Sequence, residues 1–206
     1  MSTGNDIVAL AVTDPARTSR YRFYSRIVSR SELEGLGSAL PFPTFIWLLW
    51  SVKESAYKYI SRSNPRLVFA PLKIPVSSLE LREDYYEGMI QLEHIVLYSR
   101  SYVTSETIMT VVSDEKEFTN TRWGSHVIGD ADYANQSASV REHALESLST
   151  VAPGLRIVKA PDGPPEVWDG GRILDIPISL AHHERYVAWS YRLTANSSSY
   201  RKSAAN

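Results

Sequence analysis

Residues 45–58 read FIWLLWSVKESAYK, an uncharged run rich in aromatic and aliphatic residues that is followed by two lysines and a glutamate. On a helix over 44–60, Trp50, Glu54 and Lys58 fall at i, i+4 and i+8 and therefore share one face. A Glu–Lys pair at this spacing is commonly a solvated surface pair worth ~0.3–0.5 kcal/mol. The apolar run before it favours the alternative, in which a largely buried helix carries a carboxylate and an ammonium to a functional site.

The composition is that of an ordinary globular protein, with 206 residues of which 43% are hydrophobic and 22% are charged. This length allows one large domain or two modules of roughly 100 residues each. The net charge of -1 gives no electrostatic argument for nucleic acid as a partner. The chain has no cysteine, which excludes disulfides, thiolate metal sites and a cysteine nucleophile.

The N-terminal residues and the apolar run bear on location. Residues 1–6 read MSTGND, which has neither the basic region nor the long apolar stretch of a secretory signal. The apolar run at 45–50 is far too short to span a bilayer. We therefore expect a soluble cytoplasmic protein with no membrane association and no nucleic-acid partner.

Apolar runs and turn signals predict the elements of the first half. Residues 7–12 are predicted to form a buried strand that begins directly after Asp6. An Asp-Pro pair predicts a helix over 15–28. Thr44 is the expected cap of the helix over 44–60. Four strands are predicted after that helix, the last two as an antiparallel hairpin: 67–71, 74–82, 89–98 and 102–112.

A similar order of elements follows in the second half. Residues 113–136 are polar and rich in Asp, Asn, Gly and Ser, which is typical of a connection. A helix is predicted over 138–150, because its apolar residues fall on one face. Strands are predicted at 155–159, 173–180 and 186–193. The residues from Asn196 onward are rich in Ser and Asn, which indicates a disordered tail.

Two carboxylates and two histidines are candidate site residues. Asp6 and Glu54 are plausible neighbours in space, and Mg²⁺ typically takes one or two such carboxylates together with substrate phosphates. His182 and His183 lie between two predicted strands, where a single histidine is more often an exposed turn residue than a ligand. They also lack the spacing of a zinc site. No GxSxG, Walker A or Rossmann pattern occurs in the sequence.

Three tracts of the sequence match one family pattern in the right order. They are GNDIV at 4–8, WSVKESAYK at 50–58 and ISLAH at 178–182. Together they resemble the 4′-phosphopantetheinyl transferase superfamily, whose motifs are GxDIV, W(S/A)xKE(S/A)xxK and (I/L)S(I/L)SH. A fourth tract, FYSRIVSRSEL at 23–33, is similar to the FxxRIFTxxEL segment of that family.

The resemblance implies an enzyme that moves the 4′-phosphopantetheine arm of coenzyme A onto a serine of an apo acyl or peptidyl carrier protein and releases adenosine 3′,5′-bisphosphate. By the match, Asp6 and Glu54 would hold Mg²⁺ against the pyrophosphate. Glu54 would also be the base for the carrier serine, and Lys58 would stabilise the leaving phosphate. Lys53 would contact a phosphate or support the site. His182 would form a hydrogen bond with a coenzyme A phosphate.

The resemblance also implies the architecture. Short members of the family form trimers, whereas longer ones fuse two modules in one chain. At 206 residues this chain is similar to the fused kind, an α+β pseudo-dimer in which each module has an antiparallel sheet packed against helices. We expect the first module at 1–115, the second at 116–195 and the tail at 196–206. The expected arrangement is a monomer with one site between its modules, and a trimer is the alternative.

The sequence departs from the family pattern at three places. Val8 stands where longer members carry a second acid, so two protein carboxylates are the expected metal set. Residues 61–66 replace the glycine-rich turn that often follows the lysine-bearing helix in the short members, which leaves the residues that bind adenine and the 3′-phosphate open. Ala181 replaces the serine that usually precedes the motif histidine.

A basic docking surface for the carrier protein is a further expectation, because the carriers of this family are acidic beside their serine. A local excess of positive charge occurs in one segment of an otherwise neutral chain, and it is supplied by Arg17, Arg20, Arg22 and Arg26. The alternative is a solvated helix face without a partner.

Two other functions are weighed. A Mg²⁺-dependent nuclease also combines two acids with a lysine, but its lysine follows the glutamate after one intervening residue on a strand, and phosphate-backbone binding favours a basic surface. The other alternative is a catalytically silent coenzyme A binding module of the same fold. Loss of Asp6, Glu54 or Lys58 would indicate such a module, and the sequence retains all of them.

Overall fold

The computed structural model describes residues 2–37, 39–92, 94–159 and 163–194. Its antiparallel sheets pack against helices, which confirms the predicted α+β class. The elements in chain order are β1 (Gly4–Ala9), α1 (Pro15–Thr18), α2 (Tyr21–Tyr24), α3 (Arg30–Gly35), α4 (Phe42–Ser61), β2 (Val76–Leu81), β3 (Tyr86–Leu92), β4 (Ile95–Val103), β5 (Thr107–Ser113), β6 (Thr121–Val127), α5 (Tyr133–Ser149), β7 (Arg156–Lys159), β8 (Pro165–Asp169), β9 (Arg172–Ile173), β10 (Ile178–His183) and β11 (Tyr186–Arg192).

A five-stranded antiparallel sheet forms the first half, with the strand order β1-β5-β4-β3-β2. β1 begins three residues before the predicted strand 7–12, so Asp6 lies inside the strand, paired with Thr110 of β5. α4 packs across one face of this sheet. The core between them consists of fully buried side chains, which include Leu48, Leu49, Val52, Ala56, Ile90, Leu97, Ile108 and Val112.

The prediction of one continuous helix over 15–28 is wrong, because two short helices occupy the region. Asp14 caps the first, since its Oδ1 accepts the Arg17 N–H at 3.0 Å. The chain then leaves the helix at Arg20, which takes an extended conformation. The hydroxyl of Ser19 bonds back to a carbonyl four residues earlier at 2.8 Å, and such a bond competes with continuation of the helix.

α4 confirms the predicted central helix, but the predicted Thr44 cap is wrong. Two prolines define its start instead, because Pro41 precedes the first helical residue and Pro43 lies in the first turn. Proline is tolerated there, since the N–H groups of the first turn have no acceptor within the helix. Among the described residues, no helix combines the length and the apolar character needed to cross a membrane.

The predicted strands of the first half need two corrections. Segments 89–98 and 102–112 do not form a single hairpin, because β3, β4 and β5 occupy this region. The turn between β4 and β5 is built on Thr104, whose Oγ1 accepts the N–H groups two and three residues later. The predicted strand 67–71 is also wrong, since its last residue, Pro71, begins a short 3-10 turn.

The second half contains a three-stranded antiparallel sheet in the order β10-β11-β6, α5 beside it, and a small sheet of β7, β8 and β9. The strands predicted at 155–159 and 186–193 are confirmed, whereas the strand predicted at 173–180 is divided, because Ile173 ends β9 and β10 begins at Ile178. The predicted connection 113–136 is wrong at its centre, because β6 lies there and pairs with β11. The core of this half includes Val140, Ala144, Leu148, Val167, Ile178, Val187 and Tyr191.

β1 also contacts the second half of the chain. The contact consists of small and apolar side chains, namely Ile7, Met109, Ala181 and Ala188. The hydroxyls of Thr3 and Ser190 meet there at 2.9 Å. The division into modules at 1–115 and 116–195, and their pseudo-dimer relationship, remain predictions. The predicted tail at 196–206 lies outside the described residues.

Candidate functional site

Gly4 brings β1 into direct contact with α4. A Cβ atom at this position would lie 2.0 Å from the carbonyl oxygen of Ser55 and 2.8 Å from the main-chain nitrogen of Tyr59. Only glycine therefore allows this close approach of the two backbones. The contact explains the glycine of the GNDIV tract, and it places Asp6 beside the charged face of α4.

Lys58 lies between two carboxylates. Its Nζ atom is 3.4 Å from Oδ1 of Asp6 and 3.4 Å from Oε1 of Glu54. It also donates a hydrogen bond to the main-chain oxygen of Asn5 at 3.0 Å. The side chains of Lys58 and Glu54 are 25% and 27% exposed, so a ligand can reach them from solvent. The structure thus brings together three of the residues that the sequence singled out.

Asp6 is the buried member of this group. Its Oδ2 atom has no hydrogen-bond partner in the described part of the chain. Burial raises the pKa of Asp6 from 3.8 to about 7, because an ionised carboxylate is poorly stabilised away from water. The positive charge of Lys58 lowers this pKa, whereas the negative charge of Glu54 raises it. A cation held at this carboxylate would therefore favour its ionised form.

The donor set of the site fits Mg²⁺. Asp6 offers a buried oxygen for which the described residues supply no hydrogen-bond partner, and Glu54 offers a second carboxylate that adjoins the same ammonium group. Hard cations of this kind take oxygen ligands and usually retain waters or substrate phosphates beside one or two carboxylates. The described residues contain no cluster of three or more His, Asp or Glu side chains suited to a metal. Asp6 and Glu54 are the candidate pair because both adjoin Lys58.

Lys53 occupies a different environment from Lys58, although both belong to α4. Its side chain is fully buried, and its Nζ lies 2.8 Å from Oε1 of Glu32. The same ammonium donates to the main-chain oxygens of Ile27 at 2.8 Å and Pro71 at 3.2 Å. Burial lowers the pKa of Lys53, and the interaction with Glu32 opposes that effect. Of the two roles that the sequence left open for Lys53, these contacts favour support of the site over phosphate contact.

The two histidines lie at the end of β10. His182 is exposed, and its ring makes an edge contact with the ring of Tyr133 at a centroid distance of 5.6 Å. Partial burial lowers the pKa of His182, and the positive charge of Lys58 lowers it further. His182 is therefore within electrostatic range of the charged face of α4. His183 has a structural contact, because its Nδ1 accepts the Ala9 N–H at 3.2 Å.

Three residues that the sequence did not single out individually link α4, β1 and β10. The N–H of Asn5 donates to the Ser179 hydroxyl at 3.1 Å. Nη2 of Arg62 donates to the main-chain oxygens of Pro165 at 3.1 Å and Ile178 at 2.5 Å. Arg62 continues the four-residue spacing of the charged helix face, and this spacing is the sequence signal that could have identified it. The main-chain acceptors carry no such signal.

The four predicted docking arginines share one groove of about 410 Å³. All four are exposed, and the groove is also lined by the aromatic side chains of Phe23, Trp47 and Trp50. Arg17 additionally lies over the Phe23 ring, with its guanidinium carbon 5.5 Å from the centroid. The groove is therefore lined by both positively charged and aromatic side chains. The remaining lining arginines are Arg20, Arg22 and Arg26.

Comparison with known proteins gives one family. A family model described as the 4′-phosphopantetheinyl transferase superfamily matches residues 2–104, which is half of the 206-residue chain. The matched segment contains Asp6, Glu54 and Lys58, whereas His182 lies outside it. No curated protein and no solved structure matches the chain.

Proposed function

This chain belongs to the 4′-phosphopantetheinyl transferase superfamily, and we propose that it transfers the 4′-phosphopantetheine moiety of coenzyme A to a serine of an apo acyl or peptidyl carrier protein. Adenosine 3′,5′-bisphosphate is the second product. The observation that carries this proposal is the position of Lys58 between Asp6 and Glu54, because a pyrophosphate site needs oxygen ligands for a cation and a fixed positive charge.

Asp6 and Glu54 would hold Mg²⁺ in the loaded enzyme. The metal would supply positive charge that neutralises the pyrophosphate of coenzyme A. The buried Oδ2 of Asp6 supports this assignment, because it has no hydrogen-bond partner among the described residues and Lys58 adjoins only the other oxygen of the carboxylate. Glu54, which is partly exposed, would also face the incoming carrier serine.

In the transfer step, the serine oxygen would attack the phosphorus that bears the pantetheine arm. The bond from that phosphorus to the bridging oxygen breaks, and the electron pair leaves with adenosine 3′,5′-bisphosphate. Glu54 would accept the serine proton directly or through a water, because a serine hydroxyl is a weak nucleophile until its proton is removed. Lys58 would stabilise the negative charge that develops on the leaving phosphate.

His182 would bind a coenzyme A phosphate from the side of β10. Its proximity to the positive charge of Lys58 supports this role, because the ammonium would attract an anionic ligand and the His182 ring could donate a hydrogen bond to it. Since Lys58 and His182 belong to the same chain, a monomer would suffice for a complete site. A stable trimer in size-exclusion chromatography with light scattering would contradict the monomer proposal. A cytoplasmic location remains part of the proposal.

The groove lined by Arg17, Arg20, Arg22 and Arg26 would dock the carrier protein. Its exposed guanidinium groups would steer an acidic helix towards the site, and Trp47 and Trp50 would offer apolar contact area. Trp50 lies one helical turn before Glu54 on α4. This spacing supports a continuous path from the docking groove to the metal acids.

A transfer assay tests the proposal. The protein is incubated with coenzyme A, Mg²⁺ and a set of apo carrier proteins, and the mass of each carrier is measured. A pantetheine adduct that forms with at least one carrier, and fails to form when EDTA replaces Mg²⁺, is the expected result. Coenzyme A binding without any adduct would instead favour the silent binding module, and hydrolysis of nucleic acid would favour the nuclease.

A further inference from the structure

Arg62 follows α4 directly and extends its charged face by one more turn. Glu54, Lys58 and Arg62 are spaced at i, i+4 and i+8, so the three side chains leave the helix on the same side. The first two carry the proposed chemistry of the site. Arg62 is mostly buried instead, and its guanidinium points across to the second half of the chain.

The guanidinium of Arg62 is bound by main-chain oxygens. Its Nη2 donates to Pro165 of β8 at 3.1 Å and to Ile178 of β10 at 2.5 Å. Burial lowers the pKa of Arg62, and the negative charge of Glu166 opposes that effect only in part. A guanidinium presents several donors in one rigid plane, so two carbonyl acceptors on different strands fix its position.

A second connection joins the same three elements. Ile178 precedes Ser179, whose hydroxyl accepts the Asn5 N–H at 3.1 Å. The carbonyl of Asn5 accepts a hydrogen bond from Lys58 at 3.0 Å. β10 is therefore held at two successive residues, by Arg62 from α4 and by Asn5 from β1. These hydrogen bonds form a closed circuit. It runs from Arg62 to β10, from β10 to β1, and from β1 back to Lys58, one helical turn before Arg62.

This circuit fixes the start of β10, and His182 lies further along the same strand. A strand that is pinned at its first two residues delivers its later side chains to a defined place, because each residue advances the strand by about 3.3 Å. β10 is also paired with β11 from Ile178 to His183, and His183 is bonded to Ala9 of β1, so the contacts of Arg62 add the direct link between this strand and α4. Loss of those contacts would free one of the two pinned residues.

We propose that Arg62 is a positioning residue that holds β10 against α4, and that it thereby orients His182 with respect to Lys58 for binding of the coenzyme A phosphates. This inference rests on the proposed function. Arg62 acts through the main chain of β10, and its donors are engaged by carbonyl oxygens. It is therefore distinct from the residues that would touch the substrate.

The test compares Arg62→Met, His182→Ala and the double variant, with Arg30→Met as the control. The side chain of Arg30 lies on α3 and is 90% exposed. Coenzyme A affinity is measured by calorimetry without carrier protein. Arg62→Met and His182→Ala should each weaken binding on the order of tenfold, as expected for the loss of a charge-assisted contact, and Arg30→Met should bind as wild type. The double variant should bind no more weakly than His182→Ala, because Arg62 acts through that residue.

Additive losses in the double variant, or unchanged affinity in Arg62→Met, would overturn the inference. If Arg62→Met does not fold, Arg62→Lys, which keeps the positive charge but replaces the planar guanidinium, is expected to show an intermediate affinity. NMR titration of the His182 ring adds a readout that needs no substrate. Its pKa should rise towards the ordinary value in Arg62→Met, and an unchanged titration would contradict the inference. Failure of the wild type to bind coenzyme A would overturn the proposed function, while this titration would still decide the positioning role.

Discussion

The ammonium of Lys58 lies 3.4 Å from a carboxylate oxygen of Asp6, although the two residues are separated by 52 positions in the sequence. The same ammonium adjoins Glu54 one helical turn earlier. The contact depends on Gly4, which lets β1 approach α4 closely enough for the two acids to share one cation. A glycine-dependent backbone contact and one charged helix face thus bring two acids and one ammonium together.

Replacement of Lys58 by Met should abolish most of the transfer without unfolding the protein. The side chain is partly exposed, so its removal leaves no large cavity, but the fixed positive charge at the leaving phosphate is lost. Loss of one such group typically lowers kcat by about 10²–10³-fold. The rate of holo-carrier formation measures the effect. Lys73→Met, at an exposed lysine outside the site, is the control and should retain wild-type activity.

The raised pKa of Asp6 predicts that this residue stabilises the folded protein less as the pH rises. The folded-state pKa of about 7 lies above the ordinary value of 3.8, so between these values the folded protein holds a proton that the unfolded chain has released. The stability contributed by this group is fully present below about pH 4 and is lost as the pH rises to about 7. Asp6→Asn cannot titrate and should not lose this contribution.

Urea unfolding in EDTA at several pH values measures this difference. The free energy of unfolding of Asp6→Asn, relative to wild type, should rise by a few kcal/mol between pH 4 and 7, since each pK unit corresponds to ~1.4 kcal/mol. Addition of Mg²⁺ at pH 7 should stabilise wild type and leave Asp6→Asn unaffected. A difference in the free energy of unfolding that stays constant with pH would contradict the raised pKa of the buried Asp6 carboxyl.

Removal of one partner of the buried Lys53–Glu32 ion pair should strongly destabilise the protein. Lys53→Met leaves the Glu32 carboxylate buried without its cation, and such a change typically costs about 3–5 kcal/mol. Chemical denaturation measures the loss. Glu32→Gln in the same background should recover part of it, because the uncompensated charge is removed.

A surface pair provides the control for that prediction. The side chains of Arg30 and Glu34 are 90% and 64% exposed, and they form an i,i+4 pair on α3. Arg30→Met should cost less than about 0.5 kcal/mol. Similar losses at Arg30 and Lys53 would contradict the structural role assigned to the buried pair.

Sequence periodicity predicted the parts of the fold that depend on local signals. α4 was identified because a long uncharged run precedes its charged residues, and the four-residue spacing of Trp50, Glu54 and Lys58 indicated one shared helix face. β6 was missed because residues 121–127 are mostly polar. It forms only through pairing with β11, more than fifty residues later, and no local signal reports such a partner.

The residues of the candidate site were also predicted only in part, because their contacts depend on distant segments of the chain. The GNDIV tract indicated Asp6, but the register that places it against Thr110 and beside Lys58 depends on long-range packing. The role of Lys53 could not be decided from α4 alone, because its partner Glu32 lies on α3. Arg62 bonds to carbonyl oxygens as many as 116 residues away, and main-chain acceptors have no sequence signature.

The arginine groove predicts a selective effect on the carrier protein. Arg20→Glu combined with Arg22→Glu should raise the KM for the carrier and leave the KM for coenzyme A unchanged, because under the proposal these exposed groups would steer only the larger partner. The effect should weaken as ionic strength rises. Arg30→Glu, outside the groove, is the matched charge reversal and should leave both values unchanged. Equal increases in both KM values would contradict the docking role.

Glu54→Gln in the carrier transfer assay tests the central claim most directly. The amide keeps the shape of the side chain but removes a metal-binding charge and the proposed base, so the variant should melt like wild type and form holo-carrier at least about 10²-fold more slowly. Glu34→Gln, at an exposed glutamate on α3, should react at the wild-type rate. Wild-type transfer by Glu54→Gln would contradict the proposal that this acid, together with Asp6 and Lys58, performs the reaction.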